Sequence, residues 1–383
     1  MRVLHVHSGN LYGGVETFLA TLAREAPLAP DMVPSFALAF AGRLSRELAD
    51  AGHTPRMTGA VQFRRPATVW RARRALAHVL SSGDYDLAVC HQAWPQALFG
   101  STIRRAGLPL VLWVHTVGDG RHWLDRWAAM RPPDLVVCNS RFTAERHAPR
   151  FGATRTEWVY CPVRVSPARA TDAQRDRTRA LLDTPPGDVV IAQVGRLESL
   201  KGHRHTLEAL ARLADLDAWT YWIIGGPQRP SDEAYLGELV TQARRLGIEV
   251  RVRFLGERSD VAALLGAADV YCQPNLEPEA FGLSLVEALG AGLPVVTSDL
   301  GGAREIVDAS CGVLTPVGDV TAIATTLRSL IADAPRRARL GDAARARPDV
   351  LCNASRQMRR IADILSSAVR PGGLASSREV RAC

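Results

Sequence analysis

The sequence predicts two Rossmann-like α/β domains, each a parallel sheet wrapped by helices, facing an interdomain cleft. Three observations lead there. The chain has 383 residues, more than one hydrophobic core usually serves. Short apolar runs alternate with helix-period segments along its length, the pattern of parallel strands joined by crossover helices. The alternation breaks at Tyr160-Cys161-Pro162-Val163-Arg164-Val165-Ser166-Pro167, where two prolines disfavour helix and central strand alike and predict a linker.

In the N-terminal domain, 1–165, the predicted strands are Val3–His7, Ser35–Phe40, Leu87–His91, Leu110–His115 and Leu135–Asn139. In the C-terminal domain, 166–348, they are Val189–Gly195, Thr220–Gly225, Val250–Leu255, Val270–Gln273 and Pro294–Ser298. Each set of five makes one sheet. After Asp319 the period becomes helical over Val320–Ala332, Arg336–Ala346 and Asp349–Ala368. Residues 349–370 form a separate C-terminal helix, and the Pro- and Gly-rich tail 371–383 reads as frayed.

With 47% hydrophobic and 22% charged residues, the composition is that of an ordinary globular chain. Met1 to His7 runs straight into a glycine-rich loop without a secretion-signal pattern, and no stretch of roughly 18 apolar residues suggests a spanning helix. The seven cysteines are scattered without a C-x-x-C pair and read as buried thiols of a reducing compartment, Cys383 excepted as exposed. A cytoplasmic location is expected.

The net charge of +8 is uneven: residues 1–165 hold 20 Arg against 12 acids, and the remainder holds 27 basic against 27 acidic. The densest stretch is Arg64-Arg65-Pro66-Ala67-Thr68-Val69-Trp70-Arg71-Ala72-Arg73-Arg74. It reads either as a basic helix for anionic lipid or an acidic partner, or as a surface helix with solvated arginines. No nucleic-acid motif accompanies it.

The strand from Val3 ends in Ser8-Gly9-Asn10-Leu11-Tyr12-Gly13-Gly14-Val15-Glu16. Apolar Val15, Phe18, Leu19, Leu22 and Ala23 then start a helix near Gly14. A strand, a Gly13-Gly14 turn and a helix N-terminus can meet a phosphate; glycine there also serves helix and sheet packing. The G-x-G-x-x-G spacing of a dinucleotide site is missing.

In the second half, Gly195-Arg196 ends a strand and Lys201-Gly202 precedes a helix, at the rim where open parallel sheets bind ligands. Lys201 is the one lysine in the chain. An ammonium kept where arginine serves everywhere else suits a phosphate clamp, against the alternative of two solvated charges. The stretch from Gln273 to Leu289 places Glu279 on a loop and Glu287 in the helix after it. The intervening chain spans at most about 12 Å if helical, comparable to the distance from donor sugar to ribose in a nucleotide sugar. The N–H groups of Phe281, Gly282 and Leu283 would face the phosphates between them.

At these residues the chain resembles the retaining glycosyltransferases of family 4 with the GT-B fold. The matching pieces are Gly13-Gly14-Val15-Glu16, Val194-Gly195-Arg196 with Lys201-Gly202, Phe254-Leu255-Gly256, Ala267-Ala268-Asp269-Val270, the Glu279 to Glu287 motif and Gly301-Gly302-Ala303-Arg304-Glu305. The resemblance implies donor-sugar contact for Glu279, ribose contact for Glu287, diphosphate binding by Arg196 and Lys201, and backbone contact from Gly14. It also implies a base near Gly256 and Glu257, and a C-terminal helix returning to the N-terminal domain. His115, followed by Thr116-Val117-Gly118-Asp119, resembles the histidine facing donor sugar and acceptor; a satisfied strand-end histidine is the alternative. Ala280 stands where the family more often has glycine. Ser140 reads as an N-cap, His5 and His7 as structural or rim residues, and His203 and His205 as too isolated for a metal.

Arg196, Lys201 and helix N-termini would stabilise the leaving diphosphate in place of a divalent cation, so neither metal nor cofactor is expected beyond a UDP- or GDP-sugar co-substrate. Retention of configuration is implied by the resemblance, with Glu279 orienting the sugar. The Asp-x-Asp triplets Asp84-Tyr85-Asp86 and Asp215-Leu216-Asp217 fall at the wrong edge of their strands for a metal-dependent transferase. The rivals are a sugar-nucleotide epimerase, a pyridoxal-phosphate phosphorylase using Lys201, and a catalytically silent binding module. The acceptor is left open among a glycan, a lipid-linked glycan and a small natural-product scaffold. For the last, Trp94, Trp113, Trp123 and Trp127 are candidate pocket residues.

Overall fold

The computed structural model describes residues 1–118, 120–164 and 170–369. The predicted break at 165–166, Asp119, the tail 371–383 and Cys383 lie outside the described residues. By its contacts the chain divides into two compact units: residues 1–162 together with the chain from Cys352 onward, and residues 163–351.

The first unit holds seven parallel strands: β1 Arg2–His7, β2 Val33–Leu38, β3 Arg56–Met57, β4 Leu87–His91, β5 Leu110–Val114, β6 Leu135–Cys138 and β7 Arg155–Trp158. Their order is β3-β2-β1-β4-β5-β6-β7, so the winding reverses between β1 and β4. The central strands β4 and β5 are buried at every residue, as a sheet covered by helices on both faces requires. Trp113 on β5 is 1% exposed; it is a core residue, which corrects its place among the candidate pocket tryptophans. The basic stretch forms the helix Pro66–Ser82, whose Ala72, Leu76 and Leu80 are buried in the unit's core. Its apolar face is therefore already covered.

The helix Ala354–Val369 packs on this unit, burying Met358, Ile361 and Leu365. Arg360 donates to the carbonyl of Trp158 at 2.9 Å and lies 4.4 Å above that indole. It starts five residues later than the sequence suggested, because the preceding helix, Ala334–Cys352, runs through Pro348.

The second unit holds β8 Val189–Val194, β9 Trp219–Ile224, β10 Val252–Phe254, β11 Val270–Gln273, β12 Val295–Ser298 and β13 Gly312–Thr315. All are parallel, in the order β10-β9-β8-β11-β12-β13, reversing between β8 and β11. The helix Asp172–Ala180 carries no buried residue and is held by charge. Arg175 and Arg179 donate to the two oxygens of Asp269 at 2.7 and 2.6 Å, and Asp269 also accepts the Val190 N–H at 2.7 Å.

Three strands were not foreseen, β3, β7 and β13, and each lies at the edge of its sheet. Predicted strand ends shift by one or two residues; β2 starts at Val33, β10 is shortened to Val252–Phe254 by the turn Glu249–Arg251, and β5 stops before His115. The six described cysteines are buried and form no disulfide among the described residues. Among the described residues no helix is long and apolar enough to cross a membrane.

Candidate functional site

The carboxyl ends of β8 and β11 flank the reversal in the second sheet, the position where open α/β sheets bind ligands. After β8 the chain passes Gly195 and Arg196 into the short turn Ser199–Lys201. Gln193 donates to the Lys201 carbonyl at 2.8 Å, and the Leu276 N–H donates to the Leu200 carbonyl at 2.8 Å. These bonds tie the turn to the loop after β11. Gly202 seals the contact: at φ +74° its missing Cβ would lie 2.0 Å from the Pro274 carbonyl oxygen.

Held this way, Lys201 Nζ reaches Glu279 Oε2 at 2.5 Å. Asn275 donates to the same oxygen at 3.3 Å and is steadied by Gln273, which accepts from the Tyr271 hydroxyl at 2.8 Å. On the other side the Gly301–Gly302 turn presses against the Glu279 backbone; the Gly302 N–H donates to the Glu279 carbonyl at 2.8 Å, and a Cβ at Gly301 would sit 2.7 Å from it. Arg196 is paired with Glu198 at 2.9 Å.

The helix Leu283–Gly290 begins at Gly282, with φ +105°, and no side chain caps it. Its first N–H groups therefore require an external acceptor. Four residues inside it lies Glu287, whose carboxylate makes no hydrogen bond with a described residue and whose pKa burial pushes up to about 7. Hydroxyl or N–H donors from a ligand would favour its anionic form. Burial raises the Tyr271 hydroxyl, with Glu287 and Glu279 adding to the shift; the two predicted carboxylates flank one phenol. Gly256 bridges to Gly225, whose N–H donates to the Gly256 carbonyl at 2.9 Å, while Glu257 is exposed beside Gly226.

In the first unit the helix Gly14–Arg24 starts after Gly13, again without a side-chain cap. Glu16 is buried and pairs with His7 at 2.7 Å. His115, one residue past β5, is 8% exposed and bonded to His91, which is bonded in turn to His5. His91 was not singled out from the sequence; its partners lie 24 and 86 residues away, and only the register of β1, β4 and β5 joins them. Gln92, just beyond β4, has φ +84°, rare for a residue with a side chain. It is held by its N–H to the Trp113 carbonyl at 2.9 Å and by the Thr116 hydroxyl at 3.2 Å.

Loops beyond β2 and β3 and the helices Ala93–Arg105 and Trp123–Ala129 bring Phe40, Phe63, Trp94, Trp123 and Trp127 into one cluster, with ring centroids 5.2 to 6.4 Å apart. Trp123 is 52% exposed. Ser140 caps its helix by accepting the Thr143 N–H at 3.0 Å. Asp86 precedes β4 and accepts the Arg2 N–H, and Asp215 pairs with Arg328; both triplets are engaged away from the carboxyl rims. Among the described residues no cluster of three His, Cys, Asp or Glu has metal-binding geometry.

Two family models match the chain: "Glycosyltransferase Family 4" over residues 12–166 and "Glycosyl transferases group 1" over residues 174–347. A "D-inositol 3-phosphate glycosyltransferase" of Salinispora tropica is 33% identical over 297 residues, 68% of this chain and 60% of that protein. The chain thus spans about three fifths of that relative's length. A "Phosphatidyl-myo-inositol mannosyltransferase" of Mycobacterium leprae is 30% identical over 344 residues, 85% of each chain. Among solved structures, Anabaena HepE in complex with UDP-glucose superposes with a TM-score of 0.85 at 25% identity, covering 96% of this chain and 100% of that one. Two parallel sheets that each reverse at a glycine-rich rim, matched along nearly the whole chain, place this protein in glycosyltransferase family 4, with the GT-B fold.

Proposed function

We propose that this protein is a metal-independent, retaining glycosyltransferase that moves a hexosyl group from a UDP- or GDP-sugar to an acceptor bound by its first unit. The observation that carries the reading is the meeting of Lys201 and Glu279 beside the uncapped helix at Leu283, with Glu287 unpartnered behind it. Lys201, the helix N–H groups and Arg196, once shared with Glu198, offer positive charge to a departing diphosphate. Glu279 would accept from sugar hydroxyls and Glu287 from the ribose, with the base near Gly256 and Glu257. Gly13 and Gly14 would bring backbone N–H groups toward the phosphates. Uracil is the first base to try, given the UDP-glucose complex of HepE.

The acceptor side draws on the aromatic cluster, which suits a ring face better than an extended chain. The named relatives suggest cyclitol-based acceptors as the first to assay. A peripheral contact with anionic membrane would fall to exposed Trp70, Arg71 and Arg74, since the apolar side of that helix is buried. Buried cysteines that form no disulfide among the described residues fit work in the cytoplasm.

The test is thermal-shift screening of UDP- and GDP-sugars with and without a chelator, followed by transfer and hydrolysis assays on the binders. Stabilisation and turnover that survive chelator are expected. A strict need for manganese or magnesium would overturn the metal-independent mechanism, and binding with neither transfer nor hydrolysis would leave a binding module.

A further inference from the structure

His5 on β1, His91 at the end of β4 and His115 beyond β5 form a line across the carboxyl side of the first sheet. Nδ1 of His5 is 2.9 Å from Nε2 of His91, and Nδ1 of His91 is 2.9 Å from Nε2 of His115. Trp113 stacks on His91 and His115 at interplanar angles of 22° and 11°, and Phe18 tilts against both imidazoles. The rings are held in place.

Burial holds all three imidazoles far below their ordinary pKa, about 3 for His5 and His115. His53 acts on His5, and His7 acts on His91 and His115, in the same direction. Each ring of the line is therefore neutral at pH 7, with one N–H and one lone pair. Neutral rings joined nitrogen to nitrogen have two consistent arrangements. With every proton on Nδ1, His5 donates to His91, His91 donates to His115, and His115 keeps an N–H on its outer nitrogen. With every proton on Nε2, the direction reverses and His115 turns a lone pair outward.

The inner end decides between them. Nε2 of His5 is sealed and has no hydrogen-bond partner among the described residues. The second arrangement leaves an N–H there with nothing to donate to; the first leaves a lone pair. Buried orphan N–H groups are rarer than under-satisfied acceptors. The neighbouring His7 follows the same rule: its Nε2 faces Glu16 Oε1 at 2.7 Å, where a carboxylate calls for the proton, and its sealed Nδ1 lacks a partner.

We propose that His5 and His91 are positioning residues that fix the tautomer of His115, so that His115 offers an Nδ1–H donor to a ligand oxygen at this rim. His115 then orients a hydroxyl or phosphate oxygen and does not act as a base. What His115 meets rests on the glycosyltransferase reading; the tautomer rests on the line alone.

The experiment is a long-range 1H–15N correlation spectrum of histidine-labelled full-length protein at pH 7.5, with His115 assigned from the His115→Asn spectrum. Nδ1–H tautomers are expected for His91 and His115. An Nε2–H tautomer at His115 overturns the proposal whether or not the protein transfers sugar, and an inactive protein with the Nδ1–H form would sink only the functional reading. His91→Phe keeps a ring between Trp113 and Phe18 but removes both hydrogen bonds. In that variant His115 should lose its fixed tautomer and kcat should fall about ten-fold while donor KM stays within about two-fold. An unchanged His115 tautomer in folded His91→Phe also overturns it, and if that variant does not fold the wild-type spectrum decides.

Discussion

Lys201 and Glu279, 78 residues apart in sequence, meet at 2.5 Å with side chains only 17% and 21% exposed. Each satisfies the other, so the cation and the carboxylate are held side by side at the sheet's rim. Binding would redirect them, the ammonium to phosphate and the carboxylate to sugar hydroxyls.

Lys201→Ala should therefore lower kcat/KM by about 10²- to 10³-fold, while the partly exposed pair contributes only about 1 kcal/mol to stability. Lys201→Arg should restore little, because a planar fork does not replace a compact ammonium in this confined turn. Steady-state kinetics and melting curves check both; near-normal turnover of the alanine variant would remove Lys201 from the phosphate clamp.

Glu287 should make the ligand-free protein less stable as pH rises. Its folded pKa, about 7, stands above the ordinary 4.5, so between those values the folded state binds more protons than the unfolded state. Stability then falls from pH 4.5 to 7 by an amount on the order of a few kcal/mol. Donor affinity should rise across the same window, since the ionised carboxylate accepts hydroxyl protons. Melting temperature against pH for wild type and Glu287→Gln checks the first claim, and parallel curves would refute it.

Gly202→Ala should cost about 2–4 kcal/mol, because its Cβ meets backbone and its φ is positive. Gly247→Ala, at φ +69° with open space around it, isolates the backbone term and should cost about 1 kcal/mol. Equal losses in the two variants, measured by denaturant unfolding, would mean the close approach to Pro274 is not sterically limiting.

Trp123→Ala should raise the acceptor KM about ten-fold, the worth of one aromatic face, and leave donor hydrolysis unchanged. Initial rates against acceptor concentration decide this; a loss confined to donor KM would place the aromatic cluster outside the acceptor site.

Much of this architecture was legible because central parallel strands are apolar on both faces and read as unbroken runs. The unforeseen strands are edges: β7 is the polar Arg155-Thr156-Glu157-Trp158, β3 has two residues, both exposed, and β13 is the four-residue run Gly312–Thr315, begun by a glycine. The same reasoning should have removed Trp113 from the pocket candidates, since Leu110–Val114 is apolar throughout. At the site, the Glu279 to Glu287 spacing and the lone lysine were visible in the chain. Their direct contact was not, because it depends on Gly202 and Gly301 letting two loops approach within van der Waals distance of backbone. His91 was invisible for a similar reason: a histidine at a strand end has no meaning until the neighbouring strands are in register.

The first unit is assembled from two separate stretches, residues 1–162 and the chain from Cys352 onward, whereas residues 163–351 are contiguous. During synthesis the first sheet must wait for the helix Ala354–Val369 until the second unit has been made in full. A single cut after residue 351 would strip the first unit of Met358, Ile361 and Leu365 while leaving the six strands of the second sheet whole. Termination of the chain at residue 351 would thus damage the unit whose strands are made first.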